Sequence, residues 1–100
     1  MEQAVIVHLP FDEENSSLDD IYKLEEMLEK AIENAEVSEF DGDEVGEGEC
    51  VLYMYGPDAD RLFEVAQKIL TSSGLAGGGH VIKRYGEADD PKAKEVRISL

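Results

Sequence analysis

One hundred residues suffice for one domain with a self-standing core but leave little room for a deep catalytic cleft. Nine basic against twenty-four acidic side chains leave a net charge of −15, which repels phosphate backbones and anionic membrane surfaces. A single cysteine, Cys50, excludes an intrachain disulfide and suits a reducing compartment.

The acids are not spread evenly. Residues 11–50 hold sixteen of them against only Lys23 and Lys30, whereas residues 51–100 hold seven acids and seven bases. The chain thus joins an acidic half to a balanced half. The apolar run Ala4–Leu9 is too short for a signal-peptide core and follows Glu2 rather than a basic segment. No stretch approaches the roughly 20 apolar residues of a membrane span. The expected location is cytoplasmic, and the expected organisation is one domain over residues 1–100.

In chain order, Gln3–Leu9 is apolar and β-branched, as in a central buried strand that Pro10 ends. Ser17 is a candidate N-cap, with Asp20 at the capping-box position and Asp19 and Asp20 at the positive end of the helix dipole. Leu18, Ile21, Leu24, Leu28, Ala31, Ile32 and Ala35 then recur at three- and four-residue spacing, predicting an amphipathic helix of about five turns. Glu36–Val45 reads as an extended, carboxylate-rich strand interrupted by Gly42, which suits a sheet edge. A turn at Gly46-Glu47-Gly48 leads into the strand Glu49–Tyr55. Its alternation sets Cys50, Leu52 and Met54 against Val51, Tyr53 and Tyr55.

Gly56-Pro57 stops that strand, with Pro57 placed for the first turn of a second helix and Asp58 and Asp60 near its start. Leu62, Val65, Ala66, Ile69 and Leu70 form its stripe. Residues 72–79 read as a flexible connection, His80–Gly86 as a strand, Glu87–Lys94 as a charged loop and Glu95–Leu100 as a last strand. The order β-α-β-β-α-β-β predicts a ferredoxin-like α+β domain of two layers, with an added C-terminal strand. The expected antiparallel strand order is 2-3-1-4-5, with both helices on one face and the acidic strand at an edge.

Two surfaces follow as candidates. The first is the acidic edge, with Glu39, Asp41, Asp43, Glu44, Glu47 and Glu49. The second is the sheet face opposite the helices, where alternation places His8, Tyr53, Tyr55, Lys83 and Tyr85, joined by Ile6, Val51 and Val81. Tyrosines there would offer contact area at small entropic cost, to a protein partner or to a second copy of the chain. The same alternation sends His80 and Ile82 to the helix face, so the two histidines are not expected to meet.

Other chemistries find less support. Tyrosines on the third strand are where RNA-recognition domains stack bases, but Gly46–Cys50 carries no Lys or Arg, and the net charge opposes RNA. Asp41, Asp43, Gly46, Glu47 and Glu49 follow a calcium-loop spacing that fails at Val45 and at Leu52, where a bidentate Glu belongs. The glycines at 77–79 follow a helix and precede a strand, the reverse of a phosphate loop. Cys50 has no neighbouring Lys or Arg to stabilise a thiolate. No nucleophile–base pair is visible, and neither cofactor nor metal is expected.

The segments GEGECVLYMYGPDADRLF and GGGHVIKRYG resemble those of small uncharacterised bacterial proteins sharing an LYMYGPDAD-LF and GGH---RYG pattern. The resemblance covers the second half of the chain, implies a compact bacterial domain, and carries no activity or site residues with it. The expected function is a non-enzymatic, acidic protein-binding module, an inhibitor or immunity-type protein for a basic partner being its concrete form. The alternative is a small-molecule- or metal-binding domain, with enzymatic activity as one version, using the open sheet face.

Overall fold

The computed structural model of the chain describes residues 3–12, 18–34, 39–74, 77–87 and 90–100. Among them the elements run β1 (Gln3–Pro10), α1 (Leu18–Asn34), β2 (Glu39–Gly46), β3 (Glu49–Gly56), α2 (Ala59–Ser73), β4 (His80–Arg84) and β5 (Glu95–Ser99). The strands form one antiparallel sheet in the order β2-β3-β1-β4-β5. This is the βαββαβ arrangement with an added C-terminal strand, and both helices pack on one face.

The core lies between the helices and that face. Ile21, Leu24, Leu28 and Ile32 of α1 and Leu62, Phe63, Ala66 and Leu70 of α2 close over Val5, Val7, Leu9, Cys50, Leu52, Met54 and Val81. Leu28, Leu52, Leu62 and Leu70 are wholly buried, so truncating any of them to Ala removes about 2–5 kcal/mol. Leu18, expected in the α1 stripe, is instead 43% exposed. At the first position of the described helix it precedes the turn that meets the sheet. The expected N-cap Ser17, and residues 35–38 of the predicted helix end and strand start, lie outside the described residues.

Local chemistry sets the ends of α2. The Asp58 carboxylate accepts from the backbone N–H of Asp60 at 3.0 Å and of Arg61 at 3.2 Å, satisfying two of the first-turn donors. Asp58 is therefore the cap, and Pro57 stands one residue before it rather than in the first turn. The side chain of Gln3 adds an acceptor 2.7 Å from the N–H of Ala59, tying β1 to the helix start. Gly74 ends α2 at φ 74°, so the helix reaches two residues into the expected connection.

The β4 register departs from expectation. His8 stands opposite both Val51 and His80, Ile6 opposite both Tyr53 and Ile82, and Val7 opposite both Leu52 and Val81. Directly paired residues share a face. His80, Ile82 and Arg84 therefore belong to the open face, while Val81, Lys83 and Tyr85 belong to the helix side. Val81 is completely buried and Tyr85 packs against the core. A displacement of one residue in β4 exchanges its two faces.

Candidate functional site

The acidic edge is built by β2, whose single sheet neighbour is β3. The hairpin between them turns on Glu47 and Gly48, both at positive φ (52° and 82°). Such a two-residue turn matches the strand twist but favours Asn-Gly over Glu-Gly. A glutamate here accepts a left-handed backbone at a cost of about 1 kcal/mol. Upstream, the ladder shifts between Phe40 and Gly42, a bulge at which Gly42 takes φ 120°.

That register divides the expected acidic patch between two faces. Asp43 lies opposite Leu52, on the helix side, whereas Glu44 lies opposite Val51, on the open face. Glu49 also reaches the open face, where its Oε1 lies 3.2 Å from His8 Nδ1. Asp41 and Glu47 are exposed. Glu39 opens β2, but its side chain is outside the described set.

On the helix side, Asp43 meets α1. Its carboxyl lies within hydrogen-bonding reach of Glu25, which is partly withdrawn from solvent. Burial, the Asp43 carboxyl and, more weakly, Glu29 push the Glu25 pKa up to about 7. Burial, with the same two carboxylates Asp43 and Glu25 behind it, also raises the Cys50 thiol to about 11. A fully buried, protonated thiol is a poor nucleophile. Like charges are thus pressed together where α1 crosses β2.

The open face is organised in rows across the strands. Val51, His8, His80 and Ser99 form one, and Tyr53, Ile6, Ile82 and Arg97 the next. Tyr55, Ala4, Arg84 and Glu95 form a third. The His8 and His80 rings stack with centroids 4.4 Å apart and planes 9° from parallel. Parallel rings aim their nitrogen lone pairs side by side rather than at one point, so the stack is not a chelate. Burial, then the charges of Arg97 and His8, lower the His80 pKa, while Glu49 acts in the opposite sense. Among the described residues no group of three or more His, Cys, Asp or Glu side chains is placed to hold a metal ion. The Tyr53 hydroxyl donates to Glu44 at 3.1 Å, and its proton is held more firmly for burial and that carboxylate.

Lys83 and Tyr85, expected on the open face, lie instead at the start of α2. Lys83 Nζ is 2.9 Å from Asp60 Oδ1, to which the Tyr85 hydroxyl also donates. The ammonium stands 5.2 Å from the Phe63 ring centroid. Both donors hold the Asp60 carboxyl below its usual range, the Tyr85 hydrogen bond first and the Lys83 hydrogen bond second. The arrangement ties β4 to α2 and is structural. Arg84 does similar work on the open side, pairing with Glu95 at 2.7 Å and donating to the carbonyls of Glu87 and Asp90.

Of the expected open-face set, the structure brings together His8, Tyr53 and Tyr55 and removes Lys83 and Tyr85. It adds His80, Ile82 and Arg97. Pairing Val7 with Val81 in the β1–β4 ladder is the one anchor that identifies them. Comparison with known proteins finds no family model, no curated protein and no solved structure that matches this chain. No helix among the described residues is long and apolar enough to cross a membrane.

Proposed function

We propose that this chain is a non-enzymatic, acidic protein-binding module acting in the cytoplasm, and that its α1–β2 ridge engages a basic partner. An inhibitor or immunity-type role, in which carboxylates occupy a cationic groove, is its concrete form. Asp41 and Asp43 of β2 and Glu47 of the following turn form one part of the ridge, and Glu25 and Glu29 form the α1 part.

The observation that carries this reading is the contact of Glu25 with Asp43. Acids retained for solubility alone are best spread apart in water, where each is solvated and repulsion is small. Here the carboxyls of Glu25 and Asp43 face each other, Glu25 partly withdrawn from solvent and Asp43 exposed, and the Glu25 pKa rises to about 7. A lysine or arginine brought by a partner offsets both the repulsion and the lost hydration. Strained, like-charged groups of this kind cluster at functional sites. The left-handed Glu47 at the adjoining hairpin is a second local cost in the same place.

Capture from a cell extract tests the proposal. One immobilised variant neutralises the ridge (Asp41→Asn, Asp43→Asn, Glu47→Gln), and a control of equal charge neutralises Asp19, Asp20 and Glu64. A basic protein retained by the wild type and the control but lost from the ridge variant is the expected result. Equal recovery of every protein by all three forms would sink the assignment.

A further inference from the structure

We infer that the open sheet face docks a second copy of this chain, about a two-fold axis running parallel to the strands over β1. This goes beyond the acidic-ridge function and uses a different surface. It starts from a charge asymmetry confined to one face.

On the β2–β3 side of the face stand Glu44, which accepts from the Tyr53 hydroxyl, and Glu49, which lies beside His8. On the β4–β5 side Arg84 is matched by Glu95, and the exposed Arg97 adds a further positive charge. Between the two sides run Val51, Tyr53, Ile6 and Ile82, which are buried or half-buried. A surface whose middle holds these side chains and the stacked His8 and His80 rings, between one acidic and one basic flank, is self-complementary under one class of two-fold rotation.

Because β1 is the central strand, an axis along it lays β2 of one copy over β5 of the other and β3 over β4. The level along the strands is kept, so Tyr53 meets Ile82 of the second copy, and Arg97 arrives over Gly42. That position has no side chain, and its surroundings are open. Glu44 stands one row away, within reach of an arginine. An axis across the strands would instead lay the acidic flank on the acidic flank and the basic flank on the basic one, which like-charge repulsion disfavours. Isologous association also makes every contact occur twice.

The area suits a reversible dimer. Five strands about 4.8 Å apart and some five residues deep make a face roughly 24 Å by 16 Å. Pairing two removes on the order of 800 Å² from water, below a standard specific interface and suited to a weak, transient contact. Weak, concentration-dependent association is therefore expected.

The test is a charge swap read by sedimentation equilibrium on the full chain, with thermal melts confirming that each variant is folded. The wild type is expected to dimerise. Glu44→Arg and Arg97→Glu are each expected to weaken dimerisation at least about tenfold, since each sets like charges together at both symmetric contacts. Mixing the two variants restores opposite charges at both contacts, so a heterodimer should form at the wild-type affinity. The Glu44→Arg, Arg97→Glu double variant should recover a homodimer. A wild type that stays monomeric at millimolar concentration overturns the inference. So does a dimer whose affinity ignores both reversals, or single variants that fail to rescue each other on mixing.

Discussion

Two carboxylates at opposite ends of the helix layer experience opposite environments. Asp60, at the start of α2, receives Tyr85 and Lys83, and its pKa falls. Glu25, on α1, meets burial, Asp43 and Glu29, and its pKa rises to about 7. The balanced half of the chain supplies a cation and a hydroxyl for its acid, whereas residues 11–50 supply only Lys23 and Lys30 against sixteen acids. The acidity of this protein is therefore not a uniform coat. One end is internally satisfied, and the other is left for something else to satisfy.

The largest effect is expected where the satisfied end is disturbed. Gly86 is buried beneath the loop held by Arg84, and a Cβ added there would lie 2.7 Å from Ala93 Cβ. Gly86→Ala must displace that loop, so it should destabilise by about 2–3 kcal/mol in chemical denaturation. The loss arises from packing and should be the same at pH 5 and pH 8.

At the unsatisfied end, Glu25→Gln should have the reverse effect. A carboxyl whose folded pKa is raised contributes stability that is fully present below its unfolded value of 4.5 and is lost as pH rises through about 7. Wild-type stability from this group therefore falls between pH 4.5 and pH 8. Discounted for solvent screening, Glu25→Gln should gain about 1 kcal/mol at pH 8 and almost nothing near pH 4.5. A pH-independent effect in thermal melts would mean that Asp43 and Glu25 do not repel each other.

A smaller gain is expected at the hairpin. Glu47→Asn places a residue that tolerates the left-handed region at φ 52°, and should stabilise by about 0.5–1 kcal/mol. If the ridge is a binding surface, the same change weakens capture of its basic partner, so stability and binding move in opposite directions.

Asp60→Asn should have the smallest effect and the opposite pH signature. A carboxylate whose folded pKa is lowered contributes stability that is present above its unfolded value of 3.8 and lost as pH falls through the lower folded value. The variant should therefore lower the Tm at pH 7, and the difference should vanish in strong acid. A Tm difference that persists there would assign the effect to something other than the Lys83 and Tyr85 contacts.

The meeting of Glu25 with Asp43 could not be read from the chain in order. Glu25 and Asp43 belong to different elements, and neither carries a motif that marks the other. The bulge at Gly42 shifts the alternation count by one, so the faces of Asp43 and Glu44 cannot be counted from Glu39 and Phe40. The Lys83–Asp60–Tyr85 contact required β4 to present its alternate residues to α2. By contrast, the acidic edge strand, the tyrosines opposite Ile6 and Ala4, and the helix stripes were legible, because each rests on a short-range period in one segment.

What the sequence determined by itself was the element order, the strand order 2-3-1-4-5 and the concentration of charge on α1 and β2. Hydrophobic period and right-handed crossovers leave few alternatives once seven elements are recognised. The register of β4, by contrast, was set by packing between distant segments. In His80–Arg84 the apolar residues Val81 and Ile82 are adjacent, so alternation alone points equally to either face. The choice is made by Val7, which lies opposite both Leu52 and Val81 and draws Val81 into the core. That single packing event turns His80 out onto His8, exposes Ile82 beside Ile6, and gives Lys83 to Asp60.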